Sequence, residues 1–285
     1  MDVRKLPGLF GVQVDGLDLN RDMSDQTIGA LIDLLHEHQI MVIRRQSLCD
    51  PAYVQFGHFW GQPLNFFVSS QTRDDFPEII KQNNHADTPM NLRDGAGHWH
   101  SDSTYEEIPA SVTMLYGVEA PDIGGETLIA NTTLAYDALS SEMKSRIEPF
   151  VGMHCLSGAP PLPGENFVMV PHEIARMGIQ RHPLVMRHPV TGRKALFTSG
   201  SAFTIEGMDQ AEGRDLIRAL RAHTTQPCFT TSYKVEVGDI FIWDNFQTMH
   251  SATPLEYSDD DGKRRLLYRI STKGLPDLRG PANAA

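Results

Sequence analysis

The chain has 285 residues, of which 40% are hydrophobic and 21% charged, and its formal net charge at pH 7 is −11. This length fits one large domain or two small ones, and the balance is that of an ordinary globular protein whose core needs no disulfide or metal to fold. The acidic excess disfavours a nucleic-acid partner, because backbone phosphates need a basic surface, and no apolar run is long enough for a membrane span.

The cysteines and the amino-terminal residues indicate where the protein resides. Cys49, Cys155 and Cys228 lie far apart, which favours ordinary buried or partly buried thiols over a disulfide framework. The first nine residues lack the apolar core of a signal peptide. We therefore expect a cytoplasmic protein.

The first third of the chain contains two predicted helices and one strand. Ser24 can cap a helix whose apolar residues at 28, 31, 32 and 35 have helical spacing. The apolar run Ile40–Ile43 predicts a buried strand. Residues 50–61 predict a second helix, opened by Asp-Pro and closed by Gly. The polar residues 62–99 favour a loop.

The middle of the chain mixes short elements with one long connection. A strand is predicted at residues 111–118 and two short helices at 134–148. Residues 157–183 are rich in Pro and Gly, and long connections of this kind are often binding loops. Residues 184–198 predict a hairpin, and Asp209 can cap a further helix.

Three strands are predicted to close the chain, at residues 228–235, 239–243 and 265–271. Many strands separated by turns, with a few helices early and one late, predict a mainly β protein with flanking helices. The expected core is a β-sandwich or jelly roll.

A candidate metal site is formed by His100, Asp102 and His250. In an extended backbone, residues two apart point to the same side, so His100 and Asp102 can present a nitrogen and a carboxylate together. A histidine from another strand would complete the two-His, one-carboxylate face of non-haem Fe(II) oxygenases. The His-x-Asp pattern is weak by itself, because it occurs by chance in many proteins.

Two arginines on the last predicted strand support the metal site. Arg265, Leu267 and Arg269 share one face of that strand. The face could be exposed to solvent, or the arginines could point into a barrel and bind carboxylates, for which the planar guanidinium is well suited. The turn that precedes Thr127 could bring a hydroxyl to an anion, or it could be a plain turn into a strand.

Taken together, these motifs resemble the taurine/2,4-dichlorophenoxyacetate dioxygenases, the TauD/TfdA family, over nearly the whole chain. The motifs appear in the family's order: the opening strand at residues 11–19, Trp99-His100-Ser101-Asp102, Gly124-Gly125-Glu126-Thr127, the hairpin motif at residues 188–197, Trp243-Asp244-Asn245 with His250, and Arg265 with Arg269.

The resemblance implies one domain over residues 1–285, a double-stranded β-helix (the cupin-like jelly roll), and an Fe(II)- and 2-oxoglutarate-dependent dioxygenase. It implies that His100, Asp102 and His250 ligate Fe(II), and that Thr127 and Arg265 hold the distal carboxylate of 2-oxoglutarate. Arg269 would lie near the keto-acid end or the substrate anion. O2 and 2-oxoglutarate would be the cosubstrates, with release of succinate and CO2. Because related halogenases lack the carboxylate, Asp102 favours hydroxylation or a desaturation-like outcome.

Departures from the family pattern bear on the substrate. Gln62 stands where taurine enzymes place a sulfonate-binding histidine, and Phe246 replaces a frequent arginine. With Phe66, Phe67 and the 157–183 connection, these departures favour an organic acid with an apolar or aromatic body over taurine. An alkylsulfonate substrate remains the alternative. The candidate substrate contacts are Gln62, Asn84, His98, Tyr105, Phe203 and Arg269, and the expected active-site loops are residues 62–98 and 157–183.

Two other classes of protein share part of the pattern. His98, His100 and Asp102 match part of a metallo-β-lactamase zinc signature, but Ser103 stands where that signature needs a histidine. A non-catalytic binding protein on the same barrel is the other alternative. The family also leads us to expect a homo-oligomer, a dimer or a tetramer.

Overall fold

The computed structural model describes residues 1–65, 72–88, 96–156 and 178–276, and within them the protein is mainly β with flanking helices. The helices are α1 Asp25–His38, α2 Asp50–His58, α3 Thr132–Asp137, α4 Ser141–Ile147 and α5 Gln210–Thr224. The strands are β1 Asp2–Lys5, β2 Val12–Asp15, β3 Ile40–Ile43, β4 Gln62–Pro63, β5 Thr72–Arg73, β6 Phe76–Asn83, β7 Val112–Glu119, β8 Thr127–Asn131, β9 Val151–His154, β10 Gln180–Pro183, β11 Val185–Arg187, β12 Lys194–Leu196, β13 Ala202–Ile205, β14 Thr230–Tyr233, β15 Ile240–Asp244, β16 Thr248–Ala252 and β17 Leu266–Lys273.

Two sheets form the jelly-roll core. The larger sheet has the strand order β1-β2-β3-β15-β7-β17-β6-β5, with β4 paired to β17. The smaller sheet has the order β14-β8-β16. The remaining strands form the three-stranded sheet β10-β9-β13 and the hairpin β11-β12. The order is strongly non-sequential, so strands that are distant in the chain meet at the centre of the core.

The central strands of the larger sheet are buried on both faces. In β15, Phe241 and Trp243 belong to the apolar cluster that includes Ile129 of β8, whereas Ile240 and Ile242 belong to the cluster that includes Leu31 of α1. Alternate residues of a strand point to opposite faces. A strand covered by helices on one side and by the second sheet on the other therefore needs a continuous apolar run, as in β3 and β15.

The predicted helix starts are confirmed by their capping contacts. Ser24 accepts a hydrogen bond from the backbone N–H of Thr27 at 3.2 Å. Asp209 accepts from the backbone N–H groups of Ala211 and Glu212. These side chains satisfy donors that the first helical turn leaves without partners. The two short helices and the hairpin of the middle region also occur as predicted.

Several sequence predictions about local structure were wrong. Residues 62–99 were expected to be a loop, but β6 lies within them and pairs with β17. Its side chains at positions 79 and 80 are buried, although Pro77 and polar residues around them hide the strand pattern. Of residues 228–235, only 230–233 form a strand, preceded by a short 3₁₀ helix. Cys49 and Cys228 are exposed rather than buried.

No helix within the four described stretches combines the length and the apolar character that crossing a membrane would require.

Candidate active site

The site lies where the loop before β7 meets strand β16. The backbone N–H of His100 donates to the carbonyl of His250 at 2.9 Å, and the N–H of His250 donates back at 2.7 Å. His250 lies in β16, so the second histidine comes from another strand, as expected. This reciprocal pairing places the two imidazoles side by side, with ring centroids 4.2 Å apart.

Asp102 brings a carboxylate to the same point. Its Oδ1 lies 3.7 Å from Nε2 of His100 and 3.6 Å from Nε2 of His250. Ser103, directly after it, has a left-handed φ of 53°, which turns the chain away from the site. One ligand atom from each of the three residues lies within 4.8 Å of the others, so the structure brings the predicted metal ligands together.

The protonation of His100 suits a metal. Its Nδ1 lies 2.7 Å from the carbonyl oxygen of His98. A carbonyl only accepts, so Nδ1 carries the hydrogen and Nε2 presents its lone pair toward Asp102. Burial lowers the pKa of both His100 and His250, which keeps both rings neutral and able to ligate.

Asp102 remains ionised in a buried place. Burial alone would raise its pKa, but the charge of the Arg269 guanidinium and a hydrogen bond from Thr113 lower the pKa well below its usual range. Arg269 contacts Oδ1 at 2.7 Å, and the Thr113 hydroxyl donates to Oδ2 at 2.6 Å. Two neutral nitrogens and one carboxylate oxygen, with an open side toward a cavity, are the donor set that suits Fe(II).

The cavity beside the ligands contains a buried arginine without an anion. Arg265 is 8% exposed, and its Nε has no hydrogen-bond partner among the residues that the structure describes. Burial lowers its pKa, and no carboxylate of the described residues pairs with it. A buried guanidinium is costly unless an anion compensates it. Thr127, His250 and Ala252 line the same cavity, so a carboxylate bound by Arg265 would lie next to the metal ligands.

Asn84 has a different task from the one predicted for it. Its side-chain amide donates to the carbonyls of Glu256 and Lys263, and its Oδ1 accepts the N–H of Arg265 at 2.7 Å. Because the backbone occupies both ends of this amide, Asn84 fixes the start of β17 and thereby the position of Arg265.

Arg269 and Tyr105 both lie near Asp102. Besides its contact with Asp102, Arg269 donates from Nε to the Ser271 hydroxyl at 3.1 Å. Burial raises the pKa of Tyr105 to about 12, and the nearby charge of Arg269 opposes that shift. The Tyr105 phenol therefore stays protonated at neutral pH, near the guanidinium of Arg269.

The other predicted substrate contacts are dispersed. His98 is exposed and lies against His100, with 4.8 Å between ring centroids. Gln62 is exposed on β4, and Phe203 is buried on β13. Neither of them lines the cavity beside the metal ligands. Phe66, Phe67 and most of the 157–183 connection lie outside the described residues.

A second cluster of two histidines and one aspartate was missed by the sequence analysis, which read two of its members only as parts of motifs. His36, His188 and Asp244 are all buried, and Oδ2 of Asp244 lies 3.3 Å from His36 Nδ1 and 2.9 Å from His188 Nε2. Gln247 donates to the same oxygen. No sequence signal separated this cluster from ordinary motif residues, because its members are spread over more than two hundred positions.

Hydrogen-bond direction excludes a metal at the second cluster. Nδ1 of His188 lies 3.2 and 3.0 Å from the backbone N–H groups of Val190 and Thr191. Since an N–H only donates, Nδ1 carries the lone pair, and Nε2 must carry the hydrogen that it gives to Asp244. A metal at Nε2 would leave the ring without its hydrogen, so this cluster is structural.

The fold and the first cluster together define a class. A jelly roll with two histidines and one aspartate converging beside an unpaired buried arginine is the framework of a non-haem iron oxygenase that uses an acidic cosubstrate. Comparison with known proteins gives the family. The profile described as "Taurine catabolism dioxygenase TauD, TfdA family" matches residues 2–271. The chain belongs to this family.

Individual relatives align over almost the full chain. An alkylsulfatase from Acinetobacter baylyi is 28% identical over 96% of this chain and 85% of its own length. An (S)-phenoxypropionate/alpha-ketoglutarate-dioxygenase from Sphingobium herbicidovorans is 29% identical over 96% of both chains. The crystal structure of AAD-2 in complex with Mn(II) and N-oxalylglycine superimposes with a TM-score of 0.81, at 29% identity and 96% coverage of both chains.

Membership of the family confirms the reaction class that the sequence predicted. The protein is an oxidoreductase, an Fe(II)- and 2-oxoglutarate-dependent dioxygenase. The names of the relatives point to chemically different substrates, so family membership leaves the substrate class open.

Proposed function

We propose that this protein oxidises a small organic acid with an apolar or aromatic body, using Fe(II) held by His100, Asp102 and His250. Arg265 and Thr127 bind the distal carboxylate of 2-oxoglutarate, and Arg269 serves the substrate side. The single observation that carries the proposal is the buried, unpaired Arg265 guanidinium, which lines the same cavity as His100 and His250.

The residues around the metal ligands have separate roles in the proposed site. The His98 carbonyl keeps the hydrogen of His100 on Nδ1, so that Nε2 is available to the metal. The guanidinium of Arg265 can donate two parallel hydrogen bonds to a carboxylate, and Asn84 fixes the backbone that carries it. Iron, when bound, supplies the activation of O2 and the oxidative decarboxylation of 2-oxoglutarate to succinate and CO2.

Support for an apolar acid comes from the walls around the metal ligands. Leu115, Trp243 and Leu267 line the cavity with apolar surface. Arg269, with Tyr105 near it, provides a cation for one anionic group. An acid whose carboxylate faces Arg269 and whose apolar body packs along these walls matches that pattern. The (S)-phenoxypropionate in the name of one relative agrees with this class.

The experiment is a turnover assay with a panel of acids. Purified protein with Fe(II), ascorbate and 2-oxoglutarate is offered aryloxyalkanoates, aliphatic carboxylates, alkylsulfonates and alkyl sulfate esters, and succinate and oxidised product are measured. We expect the aryloxyalkanoates to give the highest kcat/KM. Stimulation of succinate formation by small sulfonates alone would contradict the proposed substrate while leaving the reaction class intact.

The second candidate is oxidation of an alkylsulfonate or a related sulfate ester. The alkylsulfatase among the relatives favours it. Gln62 speaks against small sulfonates of the taurine type, because it replaces the histidine expected at the sulfonate and lies exposed on β4. In the panel, product formation from alkylsulfonates at higher kcat/KM than from aryloxyalkanoates would establish this candidate.

We further propose that the chain acts as one domain, with active-site loops within residues 62–98 and 157–183, in the cytoplasm and as a homo-oligomer. The scattered cysteines, two of them exposed, agree with a reducing compartment. Size-exclusion chromatography with light scattering would determine the number of subunits.

A further inference from the structure

We propose that Thr113, Ser271 and Asn245 are positioning residues for Asp102, and that their hydrogen-bond chain leaves only Oδ1 of Asp102 to face the metal. This inference rests on the proposed role of Asp102 as an iron ligand. The three side chains contact neither of the two candidate histidine ligands in the described hydrogen-bond network. They therefore act on the site through the carboxylate.

The direction of every hydrogen bond in this chain can be assigned. The carboxylate can only accept, so Thr113 gives its single hydroxyl hydrogen to Oδ2 of Asp102 at 2.6 Å. Thr113 must then accept from Ser271, whose hydroxyl lies 2.9 Å away. Ser271 in turn accepts from Nε of Arg269 at 3.1 Å. Both hydroxyl groups therefore direct their only hydrogen along the chain toward Asp102.

Asn245 holds the same chain from the other side. Its Nδ2 donates to the Thr113 hydroxyl oxygen at 2.9 Å, which fills the remaining acceptor position there. Its Oδ1 accepts the backbone N–H of Asp102 at 3.2 Å and Nε1 of Trp243 at 3.1 Å. Asn245 therefore fixes both the main chain of Asp102 and the hydroxyl that orients its carboxylate.

The register of the larger sheet makes this arrangement rigid. Thr113 of β7 lies directly opposite Trp243 of β15 and opposite Ser271 of β17. Thr113, Asn245 and Ser271 are each at most 2% exposed, so water does not compete for their hydrogen bonds. Such a buried and fully directed chain is more than strand pairing needs, because the backbone ladder alone would hold these strands together.

The consequence concerns how Asp102 can bind. With Oδ2 committed to Thr113, the carboxylate cannot rotate to offer both oxygens to one ion without losing that bond. Oδ1, which faces both imidazoles, is the oxygen left for the metal. One-oxygen binding keeps an additional position open for the cosubstrates, and outer partners of this kind tune metal affinity. Arg269, on the proposed substrate side, contacts both Asp102 and Ser271 and so belongs to the same hydrogen-bond chain.

The test is a titration with Co(II) alone, in the absence of O2, followed by the visible absorption of the bound ion. We expect Thr113→Val to weaken Co(II) binding about 10- to 100-fold and to change the absorption spectrum. Thr113→Ser restores the hydroxyl and should recover most of the affinity. Thr132→Val is the matched control, because Thr132 is 1% exposed and its hydroxyl has no hydrogen-bond partner in the described part of the chain.

Thermal unfolding of the metal-free variants separates affinity from folding. If Thr113→Val does not fold, Ser271→Ala carries the test, with a loss of about tenfold in affinity expected. Wild-type affinity and spectrum in a folded Thr113→Val protein would overturn the inference alone. Failure of the wild-type protein to bind Co(II) would overturn the proposed metal centre and the inference with it.

Discussion

The protein contains two clusters of two histidines and one aspartate, and they differ in where the histidine hydrogens lie. At His100 the hydrogen is on Nδ1, held by a carbonyl, and Nε2 is open toward Asp102. At His188 two backbone N–H groups occupy Nδ1, and Nε2 donates to Asp244. The residue types are the same, but at His100 a nitrogen lone pair faces the aspartate, whereas at His188 the nitrogen that faces the aspartate carries a hydrogen.

The two aspartates also differ in how far the protein fills the acceptor positions of their oxygens. Oδ2 of Asp244 accepts from His36, His188 and Gln247, so its acceptor positions are filled by the protein. Oδ1 of Asp102 faces two imidazole nitrogens that do not hydrogen bond to it, and of the described residues only Arg269 contacts it closely. Spacing and burial alone thus do not identify a metal site. The second-layer partners of the histidines do.

The largest expected effect contrasts the two clusters through one histidine each. His100→Ala should lower iron-dependent succinate formation by more than about 100-fold, because even the outer partners of a metal ligand contribute up to that factor. The metal-free variant should unfold near the wild-type temperature. His188→Ala should retain metal binding but lose about 3 kcal/mol of unfolding free energy, since it leaves a buried carboxylate short of a donor.

Succinate release and denaturant unfolding, measured on both variants, check this contrast. Equal activity of His100→Ala and the wild-type protein would remove His100 from the iron site. Loss of metal binding in a folded His188→Ala protein would mean that the second cluster is not purely structural.

The next effect concerns the charge of Asp244. Burial alone would raise the pKa of Asp244, but hydrogen bonds from His188 and His36 bring it below its ordinary value of 3.8. A lowered pKa in the folded state means that the ionised carboxylate stabilises the fold above the ordinary value, and that this stability is lost as the pH falls. Asp244→Asn should therefore cost about 3 kcal/mol at neutral pH.

Urea unfolding at neutral pH and near pH 3 measures this dependence. The difference between wild type and Asp244→Asn should shrink on the acidic side, because the wild type loses its advantage there. Asp18→Asn is the control, since Asp18 is exposed and its charge should matter little. A difference that stays constant with pH would show that the charge of Asp244 is not what stabilises the fold.

The contrast between the clusters also shows what sequence can and cannot predict. His100 and Asp102 were found because two residues apart in an extended segment share a side. The alternation in β17 likewise placed Arg265, Leu267 and Arg269 on one face, which the structure turns toward the cavity. Local periodicity carries this information directly.

Long-range contacts carried no such signal. Asp244 gains its partners from α1 and from the turn after β11, and hydrogen direction at His188 depends on a backbone turn that periodicity does not encode. The role of Asn84 follows from a loop that folds back over it. The strand β6 was missed because its partner β17 is almost two hundred residues away, so tertiary pairing overrode a polar local pattern.

A somewhat smaller change in the free energy of unfolding is expected from binding of the metal ion itself. An ion that binds only the folded state stabilises it by about 2.7 kcal/mol at one hundred times its dissociation constant. We expect Mn(II) to raise the unfolding temperature of the wild type and of Asp244→Asn, but not that of Asp102→Ala. Calorimetric titration should give one ion per chain. Two ions per chain, with one lost in Asp244→Asn, would contradict the assignment of the second cluster as structural.

The smallest of these effects tests the anion side of the first cluster. In the second cluster, the protein fills every acceptor position of Asp244 Oδ2. Beside the first cluster, the buried Arg265 guanidinium has no anion paired with it among the described residues. Arg265→Ala should therefore raise the KM for 2-oxoglutarate roughly 30-fold, equivalent to about 2 kcal/mol for hydrogen bonds to a charged group, with a smaller change in kcat. The KM of Arg265→Lys should lie between those of the wild type and of Arg265→Ala, because an ammonium keeps the charge without the paired donors of the guanidinium. Initial rates at saturating substrate measure both constants. An unchanged KM in Arg265→Ala would mean that the cosubstrate carboxylate binds elsewhere, and the buried guanidinium would then need a different anion.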